Sequence, residues 1–140
     1  MTTITLKGRE IPLIYTTYEM KTIMDEIGPI GRAIAAASGR NPEDPEDDST
    51  EFFGSMEHIT SLAKLIRILG NAGLEEAGEV PDLKDKSVMR ALKPSKLIES
   101  FNLAAKAMAE GMDSEIPDDE DKGPVDVTLE NMKKKDEAES

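Results

Sequence analysis

The sequence has no cysteine and no tryptophan, and only five of its 140 residues are aromatic. Without cysteine, the chain forms no disulfide and offers no thiolate ligand, which excludes disulfide-rich secreted scaffolds and cysteine-ligated zinc modules. No apolar run reaches the roughly 20 residues of a membrane-spanning helix, and the first ten residues lack the basic and then apolar order of a signal peptide. We therefore expect one small soluble domain in the cytosol, without membrane contact.

Residues that carry chemistry are equally scarce. The single histidine, His58, falls on the polar flank of a predicted helix, where we expect it to be exposed. The G-x-x-G spacings at Gly28–Gly31 and Gly70–Gly73 lack the preceding strand and following lysine of a phosphate loop. The acidic blocks Glu43–Asp48 and Asp118–Asp121 lack the register of a calcium loop. The sequence predicts no catalytic, cofactor-binding or metal-binding site, and an enzyme is the least favoured class.

Basic residues are outnumbered, since 29 acidic against 17 basic residues give a formal net charge of −12. Six acids and one arginine lie in residues 39–51, and eleven acids and four lysines lie in residues 112–140, so these segments hold the whole excess. We expect residues 1–111 to form a helical domain with an acidic loop at 39–50, and residues 112–140 to form a flexible acidic tail. A neutral body with acidic segments argues against nucleic-acid binding, which needs a basic face.

The longest helical pattern runs over Phe52–Leu69 and is the richest in large apolar residues. Ser49 or Thr50 is expected to cap its start, and Gly70 and Gly73 are expected to end it. Its apolar residues recur at steps of three and four, which places most of them on one core-facing stripe. We expect this helix to be the centre of the domain.

Leu65 and Ile68 fall opposite that stripe, and Phe53 lies near one edge of it. A helix that is apolar almost all round needs cover on two sides. Two interpretations stay open at this point. Either neighbouring elements bury this second face, or a partner protein binds it.

A strand pattern precedes the helices. Residues 4–15 alternate in polarity around a turn at Gly8-Arg9, which is typical of a β-hairpin. Pro12 lacks a backbone donor and is expected on an exposed edge. The sequence therefore predicts a mainly α fold: a small helical domain with an N-terminal β-hairpin and a disordered acidic C-terminal tail.

Four further helical patterns accompany the central one. The first begins with a capping box formed by Thr16 and Glu19, the second covers IGRAIAAAS, the third covers Lys86–Leu92, and the last runs from Ser95 to Gly111. Methionine, whose side chain is flexible and polarizable, suits either gap-filling in a small core or a surface for irregular apolar partners. Five of the eight methionines fall on predicted apolar faces: Met20, Met24, Met56, Met89 and Met108.

The order of these signals resembles the tail assembly chaperones of long-tailed, siphovirus-like bacteriophages and prophages of Gram-positive bacteria. The likeness is carried by the opening ITLKGREIPLIYTTYEMKTIMDEIGPIGRAI, the middle AKLIRILGNAGLEEAGE with the following MRALKPS, and the ending GPVDVTLENMKKK. Together these segments span most of the chain.

The resemblance implies a phage tail assembly chaperone that works without catalysis or cofactor. Such a protein binds the tape measure protein, keeps it soluble and helps recruit tail tube subunits. It acts in the cytoplasm of the bacterial host and is not expected in the mature virion. Our candidate contact residues are three on the central helix and three on the last helix: Phe53, Leu65, Ile68, Leu97, Ile98 and Phe101.

Two alternatives remain at the level of sequence. One is a structural virion protein, such as a head–tail connector or minor tail protein, that uses the hairpin edge to join a neighbour's sheet. The other is a small regulatory binding protein that acts through its acidic segments. Exposed apolar faces and a free hairpin edge also predict self-association, which the net charge opposes.

Three consecutive lysines, Lys133–Lys135, lie in the acidic tail. They are either a solvated segment that moderates self-repulsion or, as the resemblance implies, the place where a ribosomal frameshift produces a longer minor form. Such a form would carry an extra domain that fetches tube subunits, with the tail as its tether.

Overall fold

The computed structural model describes residues 1–44 and 46–112, and their fold is mainly helical with an N-terminal hairpin, as predicted. The predicted disordered tail lies outside the described residues except for Met112. Within the described ranges, no helix is long and apolar enough to cross a membrane. The elements in chain order are β1 (Thr3–Leu6), β2 (Arg9–Pro12), α1 (Thr17–Glu26), α2 (Ile30–Ser38), α3 (Met56–Glu76), α4 (Asp85–Ala91), a 3-10 turn (Pro94–Lys96) and α5 (Leu97–Met112).

The hairpin is tight because its loop has only two residues. β1 and β2 are antiparallel with Leu6 opposite Arg9, which leaves Lys7 and Gly8 as the loop. Both loop residues have positive φ, 52° and 79°, the backbone of a type I′ turn that matches the twist of the strands. The turn therefore lies one residue earlier than the predicted Gly8-Arg9.

The start of α1 confirms the predicted capping box. The Thr16 hydroxyl accepts from the Tyr18 N–H, and the Glu19 carboxylate accepts from the Thr16 N–H at 2.9 Å. These bonds satisfy donors that the first turn of a helix leaves without intrahelical partners. The capping box therefore fixes the start of α1 directly after Thr16.

The central helix, α3, is displaced along the chain from its predicted position. It starts at Met56, where the Ser55 hydroxyl accepts from the His58 N–H at 3.1 Å, and it ends at Glu76. The predicted caps Ser49 and Thr50 precede this start by several residues. The predicted stop at Gly70–Gly73 is wrong, because the helix runs through these glycines for one further turn.

The glycines remain in α3 because the hairpin packs directly on them. An ideal Cβ at Gly73 would lie 1.8 Å from the Pro12 carbonyl oxygen, and one at Gly70 would lie 2.7 Å from the Leu83 Cδ1. Just beyond β2, the Ile14 N–H donates to the Leu69 carbonyl at 3.1 Å. The outer edge of β2 at Pro12 is therefore covered by α3 and is not exposed as predicted.

The side chain of Asn71, between those glycines, also has a structural role. Its amide accepts from the Leu83 N–H at 2.9 Å and donates to the Leu83 carbonyl at 3.2 Å. These two hydrogen bonds satisfy the backbone N–H and C=O of Leu83 in the extended segment before α4, as a helix or sheet would. A residue that the sequence assigned to a helix end therefore holds the segment leading to α4.

The core surrounds α3. This helix contacts β2, α1, α2, α4 and α5, so its apolar residues are covered on more than one side. Small residues allow α2 to approach closely, since Ala33, Ala36 and Ala37 are all buried. Each fully buried Leu or Ile contributes roughly 1.5–3 kcal/mol, and most of the largest belong to α3 or to the hairpin segment: Ile11, Leu13, Leu62, Leu65, Ile66, Leu69 and Leu74.

A cluster of charged side chains ties α1 and α4 to α3. Arg67 binds Asp85 at 2.5 Å and also pairs with Glu26, while Lys64 binds Asp85 at 2.9 Å. Burial alone would raise the pKa of Asp85, but the hydrogen bonds from Lys64 and Arg67 outweigh it and hold that pKa below its usual value. The carboxylate is therefore ionised at neutral pH and joins two basic residues of α3 to α4.

Replacing Gly73 by alanine should destabilise the protein, although alanine favours a helix by about 1 kcal/mol over glycine. The new methyl group would overlap the Pro12 backbone, and such overpacking costs about 1–3 kcal/mol or more. Gly70→Ala is the matched control, because its nearest obstacle is the movable end of the Leu83 side chain. Urea unfolding of both variants tests this, and a Gly73→Ala protein as stable as the native chain would show that the hairpin is not tightly seated.

Candidate functional site

Three methionines lie on the surface where the sequence predicts core. Met20 and Met24 of α1 are 39% and 46% exposed, and Met56, the first residue of α3, is 82% exposed. Met20, Met24 and the C-cap residue Ile27 follow one another by four and three residues, so their side chains lie on the same side of α1. Exposed large apolar side chains in a group mark interaction sites more often than single ones do. We call Met20, Met24, Ile27 and Met56 the methionine surface.

A groove between the end of α1 and the first half of α3 joins the two parts of this surface. Ile27 and Met56 are its apolar lining residues, and the other lining residues are polar: Glu26, Glu57, Thr60, Ser61 and Lys64. The groove holds about 290 Å³ and is open to solvent, which places it at the lower end of small-molecule pockets. Its volume is that of a few side chains, and its mixed lining offers both apolar and polar contacts to a protein segment.

An ion pair places acidic residues beside the groove. Arg32 of α2 binds Glu43 at 2.5 Å and lies 3.8 Å from Glu57. Glu43 begins the run of acids in residues 39–51, so this contact positions the start of that run near the Met56 end of the methionine surface. A partner with basic residues next to its apolar ones would meet complementary charge there.

The two residues of the expected second face of α3 are buried. Leu65 is 1% exposed and Ile68 is 5% exposed, and both belong to the main apolar cluster of the domain. Helices and the hairpin pack around α3 on several sides, which removes these side chains from solvent. Of the two interpretations left open by the sequence, burial by neighbouring elements therefore holds, and the fold does not present Leu65 or Ile68 to a partner.

Phe53 occupies a different place from the one predicted. It precedes α3 in the connecting loop and is partly exposed, with its ring centroid 4.7 Å from that of His58. An ideal Cβ at Gly39 would lie 2.6 Å from the Phe53 ring, so the ring packs against the end of α2. Its exposed edge is separate from the groove lining.

The three candidates on α5 are not equivalent. Leu97 is buried, Phe101 is half-buried against the core, and Ile98 is 62% exposed. Only Ile98 directs most of its side chain to solvent. A partner-binding role for these residues stays a prediction.

Sequence reasoning missed the methionine surface because it assigned its members to core faces. In α1 the core takes Ile23, which is fully buried, and leaves Met20 and Met24 outside. In α3 the first turn begins at Met56, so this residue projects from the end of the helix. The available signal was residue type, since methionine rather than leucine stands at all three exposed positions.

His58 is buried, contrary to the exposed position expected from the sequence. Its Nδ1 accepts from the Gly54 N–H at 2.9 Å, and its other nitrogen bonds the Ala37 carbonyl. Burial lowers the pKa of His58 below the ordinary 6.5, and the bond to Ala37 only partly opposes this effect. The neutral imidazole therefore joins α2, the loop and α3, and all its described contacts are structural.

The acidic segment 39–51 has its own local hydrogen bonds. Asp47 accepts from the Ser49 N–H at 2.9 Å and from the Asn41 amide at 3.2 Å, and these bonds lower the pKa of Asp47. Within residues 1–44 and 46–112, no group of three His, Asp or Glu side chains is arranged to hold a metal ion.

Comparison with protein-family models finds no match, and comparisons with curated proteins and with solved structures find none either. The function therefore has to be inferred from the surface and the sequence pattern.

Stability should fall when the pH drops below about 6.5, because the unfolded chain then protonates His58 while the folded chain resists it. The described carboxylates with lowered pKa values, Asp47 and Asp85, start from 3.8, so their contribution is lost only at more acidic pH. Urea unfolding between pH 7.5 and 5.5 measures the effect. His58→Gln should flatten this dependence, and an unchanged slope in that variant would assign the dependence to other groups.

The different positions of Leu65 and Met56 on the same helix predict different mutational costs. Leu65→Ala should lower the free energy of unfolding by about 2–5 kcal/mol, because it leaves a cavity in the core. Met56→Ala should change it by about 0.5 kcal/mol or less, as is usual at an exposed position. Equal losses in the two variants, measured by chemical denaturation, would contradict the burial assigned to them.

Proposed function

We propose that this protein is a phage tail assembly chaperone that binds the tape measure protein through the methionine surface and acts without catalysis. The observation that carries the proposal is the group of three exposed methionine side chains, Met20, Met24 and Met56, with the half-buried Ile27 beside them. Methionine side chains adapt to partners of irregular shape, which a chaperone for a long and varied chain requires.

The shape of the surface supports a helical partner. The face of α1 presents side chains at steps of four and three residues, and the groove beside it accepts side chains that project from a neighbour. Tape measure proteins are, on the resemblance, long and largely helical with apolar segments. An apolar face of such a segment can cover Met24 and Met56 while its polar face remains in water.

The charge of the chain supports the proposal that this protein keeps the tape measure protein soluble. The whole net charge of −12 resides in residues 39–51 and 112–140, and the contact of Arg32 with Glu43 anchors the first of these beside the groove. When several copies coat one apolar chain, their acidic segments repel one another and oppose aggregation. Recruitment of tail tube subunits belongs to the same proposal.

The structural-virion alternative depended on a free hairpin edge. The Pro12 carbonyl lies against Gly73, and Ile14 donates to Leu69, so α3 occupies this edge of β2. Joining a neighbour's sheet along β2 would require the hairpin to detach from α3. The chaperone role requires no such rearrangement.

A double substitution on the methionine surface tests the proposal. Met24→Glu with Met56→Glu should leave the fold intact, because both side chains are exposed, and should abolish the capacity to keep a coexpressed tape measure segment soluble. Tyr18→Glu is the matched control: Tyr18 is also exposed on α1 but lies on the side away from Met20 and Met24. Sedimentation of the lysate separates soluble from aggregated segment. Retention of full solubilising activity by the folded double variant would refute the assigned surface.

A further inference from the structure

We propose that residues 125–135 of this same chain bind the methionine surface and cover it until the partner arrives. The segment reads VDVTLENMKKK, and Val125, Leu129 and Met132 follow one another by four and three residues. This is the same spacing as that of Met20 and Met24 on α1 and of Ile27 at its C-cap, and it is typical of an apolar helix face. The inference deepens the proposed function, because it rests on the same surface and adds its regulation.

The end of α5 lies at the correct place for this contact. An ideal Cβ at Gly111 would lie 2.1 Å from the Tyr15 carbonyl oxygen, so the last turn of α5 touches the residue that directly precedes Thr16, the cap of α1. The chain beyond Met112 therefore leaves the folded body next to the start of α1. Met20 is the member of the methionine surface closest in sequence to Tyr15, which the end of α5 contacts.

The length of chain between the two sites is sufficient. Twelve residues, 113–124, separate the end of α5 from Val125, and twelve extended residues span about 40 Å. The ten residues of α1 measure about 15 Å along the helix. Residues 125–135 can thus reach the whole length of α1, including Met20 and Met24.

The charges favour one direction of binding. Three of the four lysines in residues 112–140 directly follow Met132. Carboxylates lie at the far end of the surface, where Glu26 and Glu57 line the groove together with Lys64, and Arg32 binds Glu43 nearby. A segment that runs from the Met20 end toward Met56 brings its lysines to these carboxylates.

The chain's own segment is favoured over a second copy. A tether of this length gives an effective concentration in the millimolar range, whereas two copies that each carry a net charge of −12 repel one another. Covering the surface in this way also keeps exposed methionines from associating before the partner binds.

A nitroxide label tests the contact in the full chain. Because the sequence has no cysteine, Asn131→Cys provides a single labelling position in the proposed segment. The label should broaden the methyl signals of Met24 and Met56 in carbon-13 methionine spectra. Val125→Glu with Leu129→Glu should remove the broadening. Val127→Glu is the matched control and should retain the broadening, because Val127 is outside the four- and three-residue spacing of Val125, Leu129 and Met132.

Two outcomes overturn the inference. The first is the absence of broadening in the labelled chain. The second is equal broadening when spin-labelled chain without isotope is mixed with isotope-labelled chain without cysteine, since a second copy then occupies the surface.

The affinity of this protein for a tape measure segment distinguishes a failure of this inference from a failure of the proposed function. If the segment covers the surface in about nine of ten molecules, its release by Val125→Glu with Leu129→Glu should tighten binding of a tape measure segment about tenfold. Broadening without any binding of that segment supports the intramolecular contact and refutes the chaperone role. Binding that needs Met24 and Met56 but is unchanged in the tail variant, without broadening, refutes the contact and leaves the chaperone role standing.

Discussion

The fold depends on one constraint: α3 carries buried residues from His58 to Leu74 on several of its sides, and each of these sides has to be covered by another element. The helices α1, α2, α4 and α5 and the hairpin all contact it. The hairpin approaches most closely because Gly73 has no side chain to hold the Pro12 backbone away. A two-stranded hairpin is marginal in water, so the helix stabilises the hairpin as much as the hairpin covers the helix.

The neighbouring helices pack their inward-facing apolar residues against α3. In α1 this is mainly Ile23, and the charged side of the same helix reaches α3 through Glu26 and Arg67. Met20 and Met24 lie to the side of that contact and remain in solvent. The methionine surface is thus part of the apolar surface that remains after the core is formed, and flexible methionine side chains suit contact with partners of irregular shape.

Much of the fold was predictable because its signals are local. The alternation in residues 4–15, the capping box of Thr16 and Glu19, and the length of the helical patterns each depend on neighbours in sequence. Errors arose where distant residues decide the outcome. Gly70 and Gly73 would end an isolated helix, but packing against the hairpin keeps them in α3. His58 is polar and was expected at the surface, but its hydrogen bonds to Gly54 and Ala37 offset the free-energy cost of burying it.

The sequence by itself determined the class of the protein: a small, cysteine-free, mainly helical domain whose excess negative charge is confined to two segments. These properties follow from the composition and the periodicity of the sequence, which do not depend on how the chain packs. Only the tertiary structure decided which apolar residues are available to a partner. Leu65 and Met56 lie on one helix and look alike in a hydrophobic pattern, yet one is in the core and the other is exposed. The difference arises because exposure depends on how other elements pack around a helix, and that packing is set by contacts between residues far apart in the chain.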